Sequence, residues 1–132
     1  MSLRTLALVC GVYDLLLGLP MLLAAPLVAR LFGAPTPVPV VNAWLNGVFA
    51  LALAAGYFWA ARDAGARRGY FWAAGVFSKG LGAVVFVLDH LRNGSPPAFL
   101  LFAATDGTLA VLTLWLLLNT PSPPRGGGTP PE

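Results

Sequence analysis

Charged side chains are scarce in this 132-residue chain, at 10% of its residues, where a soluble domain carries about a quarter. A chain so poor in charge cannot coat a surface that faces water, and its 58% hydrophobic share implies lipid as its solvent. Cysteine is nearly missing too. Cys10 stands alone, which excludes an intramolecular disulfide, a CxxC redox pair and any cysteine-based zinc site. It reads as a small apolar helix residue. His90 is the only histidine, and nothing has the spacing of a nucleophile–base pair or a two-metal carboxylate cluster. The chain is therefore expected to be no enzyme and to hold neither metal nor cofactor. A net charge of +3 and a pI of about 9.6 do not imply nucleic acid, because the few basic residues stand at the ends of apolar runs.

Long apolar sequence is what the chain does have. Four runs, 5–31, 39–61, 69–91 and 97–119, reach the length of about 20 residues that a helix needs to cross hydrocarbon. The first is too long for the apolar core of an export signal, and Pro20 and Pro26 predict a kink towards its outer end. The links are short and rich in turn formers or charge: Gly33 to Pro37, Arg62 to Arg68, and Asn93 to Pro97. Ser95 reads as an N-cap with Pro96 at the first helical position. Short links make successive helices antiparallel. The expected fold is thus an all-α integral membrane domain over 1–119, an up-down-up-down bundle of four transmembrane helices. A disordered Pro/Gly-rich tail is expected over 120–132.

Direction follows from the arginines. Arg4, Arg62, Arg67, Arg68 and Arg125 share one side, against Arg30 and Arg92 on the other. The positive-inside rule then puts both termini in the cytoplasm of a multi-pass cell-membrane protein. Tyr57-Phe58-Trp59-Ala60-Ala61 and Tyr70-Phe71-Trp72-Ala73-Ala74 flank the basic loop and read as an interfacial aromatic belt.

The residues that a bilayer should reject carry the most information. Asp14, Lys79 and Asp106 fall within roughly 5 Å of the mid-plane at about 1.5 Å of rise per residue, with Asn46 slightly further out. Each ionised group there costs about 3 kcal/mol on an insertion scale, so such groups turn inward and pair. Helical spacing sets Asp14 beside Gly11 and Gly18, Lys79 beside Gly75 and Gly82, and Asp106 beside Ala103 and Ala110. Small residues next to a polar one mark a close helix contact in lipid. The expected site is a buried polar cluster of Asp14, Asn46, Lys79 and Asp106. Its role is either a structural ion-pair network or a proton or ion site, since one lysine leaves one of two carboxylates without a cationic partner.

Two functions follow. One is a non-enzymatic accessory protein or subunit, a homo-oligomer or the partner of a membrane complex. The alternative is a proton-coupled transporter or ion-conducting oligomer that uses the mid-membrane Asp and Lys residues. Tyr13-Asp14-Leu15-Leu16-Leu17-Gly18, Leu31-Phe32-Gly33-Ala34-Pro35 and the four short-looped helices resemble small bacterial DoxX-like membrane proteins, over about residues 5–119. The resemblance implies a bacterial inner-membrane location. It also implies an accessory role, because some members of that group are accessory subunits of membrane redox complexes.

Overall fold

The computed structural model describes residues 1–121; most of the tail expected to be disordered, 122–132, lies outside the described residues. Among the described residues the chain is all-helical, with no strand. The helices are α1 (Leu3–Leu23), α2 (Ala25–Leu31), α3 (Val41–Ala61), α4 (Arg68–Asn93) and α5 (Pro97–Asn119). Of these, α1, α3, α4 and α5 are each long and apolar enough to cross a membrane.

Local chemistry sets the helix ends. Ser2 caps α1, its hydroxyl accepting the Thr5 N–H at 3.1 Å. The first apolar run is not one helix but two, parted at Ala24 (φ −145°, ψ 41°). Pro26 has no N–H to give to the Leu22 carbonyl, so the chain restarts with Pro26 in the first turn of α2, where no donor is needed. Gly94 ends α4 in the left-handed conformation, φ 66°. Ser95 does not cap α5: Pro96 is the capping position, and Pro97 removes one of the two N–H groups that a Ser95 cap could serve. The Ser95 carbonyl accepts from His90 Nδ1 at 2.7 Å.

Glycines decide how closely the helices approach. A Cβ on Gly18 would lie 2.8 Å from the Gly47 carbonyl oxygen, and one on Gly47 would lie 2.9 Å from that of Gly18. Backbone thus touches backbone where α1 crosses α3. Gly11 meets Phe58 on the same pair, so α1 and α3 run antiparallel. On the second pair Gly75 meets Thr113 and Phe86 meets Phe99, so α4 and α5 are antiparallel as well.

Packing differs between the two ends of the bundle. The near end holds the N-terminus, the 62–67 link and the end of α5. There Leu6, Cys10, Tyr57, Phe71 and Leu116 are buried in one core that joins all four long helices. Towards the far end no residue of α4 beyond Lys79, and none of α5 before Leu109, is buried. Packing is dense at one end and looser at the other, where Phe32 still reaches Phe99 and Phe102.

The aromatic segments divide between the two environments. Trp59 and Trp72 are about half exposed, but Tyr57 and Phe71 are wholly buried core residues rather than members of a belt. Two residues along a helix are about 200° apart in azimuth, so Tyr57 turns inward as Trp59 turns outward. The loop arginines also do more than mark a side. Arg67 donates to the Trp59 carbonyl and lies 4.2 Å over that ring, while Arg68 donates to the Leu117 carbonyl. Both reach carbonyls in the last turn of a helix, and that of Trp59 also accepts the Arg62 N–H.

Candidate functional site: a buried charge triad beneath two cavities

Three of the four long helices each deliver one charge to the middle of the bundle. Asp14 comes from α1 between its two contact glycines, Asp106 from α5, and Lys79 from α4. Lys79 follows a π-helical stretch, Phe71–Ser78, in which the Lys79 N–H reaches back five residues to the Ala74 carbonyl. The wider turn is a feature often found at functional positions, and no residue in Phe71–Ser78 announces it in the sequence.

Lys79 Nζ donates to Asp14 Oδ1 at 2.7 Å and to Asp106 Oδ1 at 3.2 Å. The side chains of Lys79 and Asp14 are 3% and 4% exposed, and that of Asp106 is 16% exposed. So short a contact, this deeply buried, is a charge-assisted pair shielded from solvent screening. The ammonium also lies 4.7 Å from the centre of the Tyr13 ring and 5.9 Å from that of Tyr57, inside the range in which a ring face attracts a cation. Tyr13 is in turn held by a 2.7 Å hydrogen bond between its hydroxyl and that of Thr105. Two carboxylates and one ammonium leave the triad with a formal charge of −1. Asp14 Oδ2 is buried without a hydrogen-bond partner, as is the Tyr57 hydroxyl.

The structure brings Asp14, Lys79 and Asp106 together and leaves Asn46 outside the network. Asn46 lies on the exposed side of α3, one residue from the buried Gly47. It lines the same cavity as the triad but hydrogen-bonds to none of the three. Depth and facing along the helix were legible in the sequence; that the cavity itself stands between Asn46 and the three charges was not.

Two cavities stand above the triad towards the far end. The lower, about 250 Å³, is lined by Asp14, Asn46, Ser78, Lys79 and Asp106 together with apolar residues. The upper, about 360 Å³, is almost wholly apolar, between α2, the 34–37 link and the start of α5. Met21 and Phe102 line both. Phe102 stacks on Phe32 with ring centres 4.7 Å apart and lies 5.3 Å from Phe86, so an aromatic cluster lines the junction of charged and apolar space. Sequence reasoning missed this cluster, because its members come from three separate segments. No group of histidine, cysteine and carboxylate residues that could hold a metal is found among the described residues.

No family model, curated protein or solved structure matches this chain.

Proposed function

We propose that this chain is a multi-pass protein of the cell membrane, a bacterial inner membrane, with both termini cytoplasmic. It acts without enzymatic chemistry, as a small accessory protein or subunit whose apolar outer faces contact other membrane helices. The triad carries this reading. Lys79 pairs with both Asp14 and Asp106 within a single chain, while the exposed charges of the described residues (Arg4, Arg30, Arg62, Asp63, Arg92) stand only at the two ends of the bundle. A bundle so arranged presents hydrocarbon with an uncharged girdle and keeps its costly groups inside. The DoxX-like resemblance supports the same role.

Two experiments test it. In intact cells, a membrane-impermeant maleimide is expected to label Thr36→Cys and to spare Gly65→Cys; the reverse pattern would invert the topology. Crosslinking in native membranes is expected to capture a second copy or a partner complex. A monomer in mild detergent that also crosslinks to nothing in the membrane removes the accessory role.

One observation favours a second reading, a proton-coupled transporter or ion-conducting oligomer: a net-negative triad beside a cavity, with Asp14 Oδ2 unpartnered. A pH-jump flux assay in proteoliposomes decides it. Flux unchanged in Asp14→Asn and in Asp106→Asn discards transport.

A further inference from the structure

We propose that the two adjoining cavities form one binding site for a small amphiphilic organic cation, its ammonium-like head at Asp14 and Asp106 and its aromatic or branched apolar body in the upper chamber. The inference goes beyond the accessory role and holds whether or not a partner complex exists.

Four observations converge on this ligand class. The lower cavity borders a triad of net charge −1 in which one oxygen, Asp14 Oδ2, has no partner although the Asp14 side chain is only 4% exposed. Asp14 Oδ2 is itself buried away from the cavity, but Asp106, 16% exposed, lines it, and a cation held there would offset the excess negative charge. The upper cavity has no charge in its lining and is almost entirely apolar, which suits a hydrocarbon body and not a hydrated ion. Between the two lie Phe86 and Phe102, with Phe32 and Phe99 beside them; ring faces attract organic cations as they pass or lodge. Finally, the looser packing at the far end leaves these spaces where the near end is filled by Tyr57, Phe71 and Leu116.

Other ligand classes fit less well. A hard inorganic cation takes about six or more oxygens, whereas around the lower cavity Asp14 Oδ1 and Asp106 Oδ1 already bind Lys79 Nζ and Asp14 Oδ2 is buried, leaving too few from Asp106, Asn46 and Ser78. An anionic amphiphile would meet the triad's negative charge. A neutral acyl chain would fill the upper chamber but leave the triad's net charge without a counter-ion.

The test uses the full chain in nanodiscs and benzyltrimethylammonium as the probe, by equilibrium dialysis against protein-free discs. Saturable uptake of one probe per chain is expected, at least tenfold tighter than for neopentylbenzene, its uncharged isostere. Asp14→Asn is expected to weaken binding at least tenfold. Ala50→Phe, which fills the lower cavity without altering a charge, is expected to abolish it. Uptake equal to that of protein-free discs overturns the proposal. Equal affinity for the uncharged isostere also overturns it and marks an acyl-chain site, and displacement by millimolar sodium does so in favour of an inorganic ion. Should Asp14→Asn fail to fold, undiminished binding in a folded Ala50→Phe is enough to reject the site.

Discussion

Replacing Lys79 with Met removes the only cation from the triad and tests whether the three charges act as one unit. Met keeps the apolar stem and deletes the ammonium, so both the 2.7 Å and the 3.2 Å contacts are lost at once. Breaking a buried pair by removing one partner costs about 3–5 kcal/mol. Most of that falls on Asp14, since the Asp106 side chain is 16% exposed and keeps some solvent. A ceiling follows from proton uptake. A carboxyl group of ordinary pKa near 3.9 can be neutralised at pH 7 for about 4 kcal/mol, so no single carboxylate can cost more than this. The ceiling falls by about 1.4 kcal/mol for each pH unit downwards, so the deficit of the variant shrinks as the medium is acidified. Unfolding in mixed micelles, followed by circular dichroism at pH 7 and pH 5, reads this directly. Lys79→Met is expected to lose about 3–4 kcal/mol at pH 7 and clearly less at pH 5. The triple variant Asp14→Asn, Lys79→Met, Asp106→Asn is expected to lose under half of that, because no charge is left unpaired. A loss below about 1 kcal/mol for Lys79→Met, or a triple variant as unstable as the single one, would refute the coupled triad.

Further substitutions probe the packing that carries the site. Gly18→Ala drives a methyl group into the Gly47 carbonyl and should cost about 1–3 kcal/mol; Gly80→Ala, whose nearest neighbour is the Ala110 Cβ at 3.8 Å, should be close to neutral in the same unfolding assay. Tyr57→Phe deletes a buried hydroxyl that has no partner and should leave stability unchanged or raise it, whereas Tyr57→Ala empties a fully buried site and should cost about 3–5 kcal/mol. Arg68→Ala exposes the Leu117 carbonyl and should lower stability by about 1 kcal/mol without changing the response of the triad to pH.

Asp14, Lys79 and Asp106 were legible because an ion in an apolar run is costly, and a cost shared at one depth on three helices is most cheaply met by contact. The break at Ala24 was half legible. Pro26 signalled a disturbance, but not that the helix would stop outright and begin again. Tyr57 and Phe71 were misplaced because an aromatic ring near a basic loop satisfies two descriptions, interfacial anchor and core filler. Only the azimuth set by tertiary packing separates them. The π-helical turn before Lys79 left no mark at all. It adjusts a register that depends on how Gly75 meets Thr113 and where the ammonium must arrive, and both are properties of the assembled pair.

The order of the charges along the chain shapes how the bundle can be built. Lys79 and Asp106 belong to the same helical hairpin, α4 with α5, and can neutralise each other before that hairpin meets anything else. The earlier hairpin, α1 with α3, closes on the Gly18–Gly47 crossing and on apolar packing such as Gly11 against Phe58, and carries a solitary acid, Asp14. Docking of the two halves is then the step at which Asp14 acquires its counter-ion. A chain interrupted after residue 61 would leave that acid without one, and quality control could recognise the orphaned half by it.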